Sequence, residues 1–135
     1  MTHAGALIMV VDDDEDIREL AKLFLEIEGY RVTTARDGLD AWKKLRTSDT
    51  PSLILLDLMM PRMDGEHFIR ALRASPLAHI PVVIMSGHGS GNDETRELKA
   101  EGSLLKPVEL DDLMTTVRRF VPSDSETTGR LNRRR

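Results

Sequence analysis

The chain has 135 residues and a mass of 15.2 kDa, a length that predicts one domain. It is 40% hydrophobic and 31% charged, which is typical of a globular protein with its own core and argues against disorder. Cysteine is absent, so disulfides, thiolate metal sites, iron–sulfur clusters and a cysteine nucleophile are all excluded. The net charge is −4, and this acidic chain with five aromatic residues is a poor candidate for binding nucleic acid.

The ends of the chain show no targeting pattern. Met1–His3 lacks the basic residues of a secretory signal, and no apolar run approaches the ~18 residues that a membrane-spanning helix needs. We therefore expect a cytoplasmic protein without a membrane segment. Residues 122–135 carry four arginines against two acidic residues, which leaves residues 1–121 with a net charge of −6. We expect residues 1–121 to form the domain and this basic-ended tail to be disordered.

Five apolar or β-branched runs have the composition of strands. They are Ala6–Val11, Arg31–Ala35, Leu53–Asp57, Val82–Ser86 and Ser103–Leu105. Each is followed by a stretch that predicts a helix, with apolar residues at helical spacing in all but the weak fourth stretch. In chain order these are Ile17, Leu20, Leu23, Phe24 and Ile27; Leu39, Trp42 and Leu45; Phe68, Ile69 and Leu72; the weak stretch Glu94–Ala100; and Leu110, Leu113, Val117 and Phe120. This alternation predicts a three-layer, doubly wound α/β fold whose five-stranded parallel sheet is covered on both faces by helices.

Charged and polar residues end four of the five predicted strands. They are Asp12, Asp13 and Asp14 after the first strand, Asp57 on the third, Ser86 on the fourth and Lys106 after the fifth. Parallel sheets of this kind bind ligands at the carboxyl ends of their strands, where these residues would meet. Two carboxylates about 4 Å apart repel by ~4 kcal/mol at an effective dielectric of 20, so the cluster needs a proton or a cation. Oxygen ligands alone favour Mg²⁺, and a metal beside a carboxylate, a lysine and a hydroxyl is typical of phosphoryl transfer.

Each of these residues also has a simpler structural interpretation. The aspartates after the first strand could favour the positive end of the first helix, and Asp57 could be a turn former. Ser86 could be structural, and Lys106 could be a solvated surface lysine. The combination favours a site over any of these separate interpretations.

Four blocks of sequence resemble the signature motifs of response-regulator receiver domains. They are Val10–Asp14, Leu55–Gly65, Pro81–His88 and Leu104–Pro107, and the similarity spans about residues 6 to 121. The resemblance implies a flavodoxin-like fold with strand order 2-1-3-4-5. It also implies a stand-alone two-component signalling protein, of the single-domain chemotaxis-regulator type, that is phosphorylated on one aspartate.

The resemblance implies a role for each matching residue. Asp57 would be the phosphoacceptor, and Mg²⁺ (or Mn²⁺) would be held by Asp13, Asp57 and the backbone carbonyl of Met59, with Asp12 holding it through water. Ser86 would hydrogen-bond the phosphoryl group, and Lys106 would pair with one of its oxygens. The Lys106–Pro107 peptide is expected to be cis, and Asp14 matches a position that is often acidic without being a necessary ligand.

One position departs from the family pattern, and two others match positions that tune the reaction in the family. Ser103 occupies the place of the usual Tyr or Phe, so the aromatic switch is absent in its usual form. The chain leading to Lys106 is shorter than the pattern, which predicts a rearranged fourth helix and fifth strand on a mobile face. Met59 and His88 match the two positions that tune phosphoryl lifetime. Met59 cannot orient an attacking water by hydrogen bonding, and this predicts slow or moderate self-dephosphorylation.

The partners that this resemblance implies are a histidine kinase, a histidine phosphotransfer protein, or both. We expect them to contact the first helix and the loops around the site, and the face from the fourth to the fifth helix to be the output surface. No DNA-binding domain is expected after Phe120, because the remaining residues are too few to form a domain. We expect self-phosphorylation and self-dephosphorylation rather than multiple-turnover catalysis.

Other classes fit less well. A haloacid-type aspartyl-phosphate hydrolase needs an aspartate two residues after the nucleophile, and that residue is Met59. A nucleotide- or flavin-binding module lacks its glycine-rich loop, because Asp12–Asp14 occupy that place and would repel phosphates. An adaptor with a receiver fold and a little-used site stays open as the alternative.

Overall fold

The computed structural model describes residues 6–47, 49–60, 64–87 and 91–122. Strands and helices alternate along these residues. The order is β1 (Leu7–Val11), α1 (Glu15–Ile27), β2 (Arg31–Ala35), α2 (Gly38–Thr47), β3 (Leu53–Asp57), α3 (Gly65–Arg73), β4 (Val82–Ser86), α4 (Gly91–Leu98), β5 (Gly102–Leu105) and α5 (Leu110–Phe120). The expected tail and His88 lie outside the described residues.

The five strands form one parallel sheet in the order β2-β1-β3-β4-β5, as the resemblance implied. The three central strands β1, β3 and β4 are buried along their whole length, which explains their unbroken apolar composition. The chain order reverses between β1 and β3, because β2 lies outside β1 on one side and β3 to β5 follow on the other. A ligand site is therefore expected at the carboxyl ends of β1 and β3.

Helices cover both faces of the sheet and divide the core into two layers. Alternate strand residues such as Met9 and Ile54 face α2, α3 and α4. Their neighbours, such as Val10 and Leu55, face α1 and α5. The period-2 alternation of strand side chains thus separates the two cores, and the predicted three-layer fold is confirmed.

Helix α1 has more apolar surface than the sheet covers. Its buried residues are Ala21 and Leu25, whereas Leu20, Leu23 and Ile27 are more than half exposed. Ala21 belongs to the core beneath α1, and the apolar residues on either side of this buried face project to solvent. The helical spacing of the sequence therefore predicted the helix but not which residues it buries.

The chain before Lys106 forms helix α4 and strand β5. Strand β5 pairs with β4 through four residue pairs, from Val83 with Gly102 to Ser86 with Leu105, so the expected rearrangement of this strand is wrong. Helix α4 is short, at eight residues, and begins before the predicted stretch. Strand β5 thus keeps its pairing with the buried strand β4.

Candidate functional site

The predicted site residues meet at the carboxyl edge of the sheet. Asp12 directly follows β1, Asp57 ends β3, Ser86 ends β4, and Lys106 directly follows β5. Asp12, Asp57 and Ser86 are buried at this edge, and Lys106 is partly buried with its side chain 25% exposed. Their convergence follows from parallel pairing, because every strand of such a sheet ends at the same edge.

Three carboxylates form a compact oxygen cluster. One oxygen each from Asp12, Asp13 and Asp57 lies within 4.8 Å of the other two. Adjacent ligands of an octahedral Mg²⁺ ion at about 2.1 Å are about 3 Å apart, so a small closure of the cluster suffices. The Oδ2 atom of Asp12 is buried and lies 3.2 Å from the cationic Nζ of Lys106. The donor set and this oxygen fit a hard divalent cation.

Lys106 lies against two of the three carboxylates. Its Nζ atom is 3.2 Å from Oδ2 of Asp12 and 3.2 Å from Oδ2 of Asp57. Burial by itself would lower the pKa of Lys106, but the two nearby negative charges and their hydrogen bonds outweigh it and raise that pKa. The lysine is therefore a firmly held cation between the two acids.

Asp57 has the most perturbed acidity in the cluster. Burial, as the largest cause, raises its pKa from 3.8 to about 6, with a further increase from the charge of Asp12. The backbone N–H of Met59, which donates to Oδ1 of Asp57 at 3.1 Å, opposes the increase, and so does Lys106. Asp57 is thus an anion at neutral pH whose charge is poorly solvated, a condition that favours reaction with an electrophile.

The loop after β1 is held by its own side chains. Oδ1 of Asp12 accepts the backbone N–H of Asp14 at 2.9 Å. Oδ1 of Asp14 accepts the N–H groups of Asp16 and Ile17, so Asp14 is the N-cap of α1. The simpler structural interpretation is therefore correct for Asp14. Arg18, which the sequence did not single out, donates from Nη1 to the carbonyl oxygen of Asp12 at 2.8 Å.

A profile of the family described as "Response regulator receiver domain" matches residues 8–118, which include all of these residues. This chain is a response regulator receiver.

Individual relatives agree with this assignment. The receiver is 30% identical over 127 residues to a Haemophilus influenzae protein named "Transcriptional regulatory protein CpxR homolog", which covers 93% of the receiver and 54% of the relative. It is 36% identical over 123 residues to "Response regulator MprA" of Mycolicibacterium vanbaalenii, with coverages of 87% and 52%. The receiver thus spans about half the length of the curated relatives it matches.

Solved structures show the same fold. The structure of the chemotaxis response regulator CheY4 of Vibrio cholerae has 30% sequence identity and a TM-score of 0.79, covering 86% of the receiver and 98% of that chain. A receiver protein from Pseudomonas putida also has 30% identity, with a TM-score of 0.78 and coverages of 84% and 96%. Among the described residues of the receiver, no helix has the length and apolar character to cross a membrane.

The structure also describes the predicted positions Met59 and Ser103 and the Lys106–Pro107 peptide. Met59 is 70% exposed and contacts the site through its backbone N–H. Ser103 is partly buried on β5, opposite Ile84 of β4. Its neighbour Leu104 belongs to the core under α1 and α5, so Ser103 faces the side of the sheet that carries α3 and α4. The expected cis peptide between Lys106 and Pro107 is present.

Proposed function

We propose that Asp57 of this receiver accepts a phosphoryl group from a phosphohistidine of a histidine kinase or a phosphotransfer protein, in a reaction that depends on Mg²⁺ or Mn²⁺. The observation that carries this proposal is the position of Asp57, a buried carboxylate with Lys106 on one side and two further carboxylates within ion-binding distance. The family assignment supports the same chemistry.

In the proposed reaction, a carboxylate oxygen of Asp57 attacks the phosphorus of phosphohistidine. An O–P bond forms, the P–N bond breaks, and its electron pair returns to the imidazole nitrogen of the donor. Lys106 is placed to neutralise an oxygen of the transferred group, because its Nζ is already 3.2 Å from Oδ2 of Asp57. Water later hydrolyses the acyl phosphate, which restores the carboxylate and releases phosphate.

The carboxylates of Asp12, Asp13 and Asp57 would hold the divalent ion, together with the backbone carbonyl of Met59. When bound, the ion supplies positive charge that offsets the negative charge of the carboxylates and the phosphoryl group. Asp12 is the most buried of these carboxylates, and its Oδ2 already faces a positive charge, Nζ of Lys106, which supports a role toward a cation or its water. The backbone N–H of Met59 supports the placement of that residue beside Asp57.

Output would follow from a change in the partners of one cation and one hydroxyl at the edge of the sheet. A dianionic group on Asp57 offers new contacts to Lys106 and to Ser86, and contacts made in one state only can shift an equilibrium between two conformations. We propose that the result is a phosphorylation-dependent contact with a partner, or transfer of the phosphoryl group onward. Ser103 implies that this readout proceeds without an aromatic switch, and His88 remains a proposed modulator of phosphoryl lifetime.

An apolar groove between α1 and α5 supports the proposed contact with the phosphodonor. A cavity of about 200 Å³ lies there, and its lining is apolar except for Lys106. Leu20 on α1 and Leu110 on α5 are 56% and 41% exposed at this groove. A helix that carries a phosphohistidine could cover this surface and bring its phosphorus to Asp57.

The proposal is tested by intact mass spectrometry after incubation with acetyl phosphate and Mg²⁺. We expect an increase of ~80 Da in the wild type, none in Asp57→Asn, and none when EDTA replaces Mg²⁺. Asp49→Asn is the matched control, because it removes the same charge from an exposed aspartate paired with Arg31. A wild type that gains no mass, or an Asp57→Asn variant that gains as much, would show that the site does not act in this way.

The adaptor alternative predicts a different result. A receiver with an idle site would bind its partner equally well before and after phosphorylation and in the Asp57→Asn variant. Pull-down with a kinase or phosphotransfer protein from the same source, performed with and without acetyl phosphate, separates the two functions.

A further inference from the structure

The first residue of α3 lies directly against the backbone that carries the phosphoacceptor. The N–H of Gly65 donates to the carbonyl oxygen of Leu58 at 3.1 Å. A Cβ atom placed on Gly65 would be 2.4 Å from the carbonyl oxygen of Asp57 and 2.6 Å from Cα of Leu58. Real Cβ atoms essentially never come within 3.0 Å of another residue's heavy atoms in this way, so only glycine permits this approach.

The backbone that Gly65 touches also sets the geometry of the site. The N–H of Leu58 donates to the carbonyl oxygen of Met85 at 3.2 Å and continues the pairing of β3 with β4. The next N–H, that of Met59, donates to Oδ1 of Asp57. A displacement of the Asp57–Leu58 peptide therefore moves the carboxylate and its hydrogen-bond donor together.

Helix α3 cannot easily move away to make room for a Cβ. Phe68, Ile69 and Leu72 are fully buried in the core beneath it. Its N-terminus is also fixed, because Oδ1 of Asp64 accepts the N–H of His67 at 2.9 Å. With the helix anchored along its length, a side chain at position 65 would push on the end of β3.

We propose that Gly65 is a positioning residue for the phosphoacceptor, holding the Asp57–Leu58 backbone where the carboxylate meets both Lys106 and the ion. This role rests on the proposed function for its biological meaning, but its effect on ion binding is measurable without phosphorylation. Residues that orient metal ligands typically change metal affinity by about 10- to 100-fold when replaced. We therefore expect Gly65→Ala to weaken Mn²⁺ binding by about tenfold or more.

Two other glycines provide matched controls. A Cβ on Gly87, the residue after Ser86, would meet nothing within 4 Å, and one on Gly102 of β5 would meet its nearest neighbour at an ordinary 3.7 Å. Gly87→Ala tests whether any added methyl close to the site has an effect. Gly102→Ala tests the effect of replacing glycine in regular structure.

The experiment is a Mn²⁺ titration followed by the electron paramagnetic resonance signal of the free ion, on wild type and the three alanine variants. Urea unfolding of each variant is measured in parallel, and Leu72→Ala, a core truncation in the same helix, shows what loss of stability alone does to binding. Weak Mn²⁺ binding in Gly65→Ala, with near-wild-type binding in Gly87→Ala, Gly102→Ala and Leu72→Ala, supports the role. Equal binding in Gly65→Ala and the wild type overturns it.

If Gly65→Ala does not fold, the wild type answers the same question by NMR-detected amide exchange. Coupling between two sites is reciprocal, so an ion that needs the Gly65 contact must also strengthen it. Saturating Mg²⁺ should slow exchange of the Gly65 amide hydrogen more than that of Gly102. An equal change at both amides overturns the role. These measurements are independent of the mass increase with acetyl phosphate, so a failed phosphorylation and a failed positioning role are distinguishable.

Discussion

Replacing Asp57 with its neutral isostere, asparagine, should make the protein more stable in the absence of divalent ions. The folded structure raises the pKa of Asp57 from 3.8 to about 6, chiefly through burial, and this value already includes the attraction to Lys106. The charged form of Asp57 is therefore disfavoured in the folded state. The resulting loss of folding stability is fully present above pH 6. At about 1.36 kcal/mol per pKa unit, the difference amounts to roughly 3 kcal/mol.

The effect has a sign and a pH window that can be measured. Between pH 3.8 and about 6 the folded wild type binds a proton that the unfolded chain does not, so the wild type gains stability as the pH falls through this window. Asp57→Asn cannot gain it. We expect the variant to exceed the wild type by up to about 3 kcal/mol at pH 7.5 and by about half of that at pH 5.

The assay is urea unfolding of both proteins in EDTA at the two pH values, with the difference between proteins compared across pH. Asp49→Asn is the control, because its exposed ion pair with Arg31 should contribute no more than about 0.5 kcal/mol. The reasoning is refuted if Asp57→Asn is no more stable than the wild type at pH 7.5. It is equally refuted if the stability difference does not shrink at pH 5.

Two further outcomes follow from the same structure. Mg²⁺ at a hundred times its dissociation constant should stabilise the folded wild type by about 2.7 kcal/mol. In a thermal-shift titration, Asp13→Asn should lose most of this gain. Equal gains in the two proteins would contradict a role of Asp13 as a ligand. Arg73 donates to the carbonyl oxygens of Ala78, Ile80 and Lys99 and to Oε1 of Glu101. Arg73→Met should therefore lower the free energy of unfolding by about 1–3 kcal/mol. The control Arg70→Met breaks one exposed ion pair, with Glu66 within α3, and should lower it by about 0.5 kcal/mol or less. Comparable losses in urea unfolding of the two variants would contradict this reasoning.

Much of the fold could be predicted because its signals are local. Apolar runs predicted all five strands to within a residue at each end, and helical spacing located every helix except α4, for which the pattern was weak. The residues that end the strands then predicted the site, because parallel strands place their carboxyl ends together. Asp12, Asp57 and Lys106 meet in the structure for this reason, although Asp12 and Lys106 are more than 90 residues apart along the chain.

The burial of individual side chains was less predictable, because it depends on which other elements pack against a helix or strand. The apolar residues of α1 do not show by themselves that Ala21 and Leu25 face the sheet while Leu20, Leu23 and Ile27 remain exposed. The shortened chain before Lys106 predicted a rearranged fourth helix and fifth strand, whereas β5 pairs with β4 through four consecutive residue pairs.

The amino-acid sequence alone determined the strand–helix order and which acids and which lysine end the strands, because composition and periodicity act on neighbouring residues. Only the tertiary structure decided how acidic Asp57 is, since its pKa depends on burial and on charges from other strands. The same holds for Gly65: a side chain at this position is excluded only because α3 packs against the end of β3. Distances between segments far apart in the chain are set by packing, and packing is a property of the whole fold.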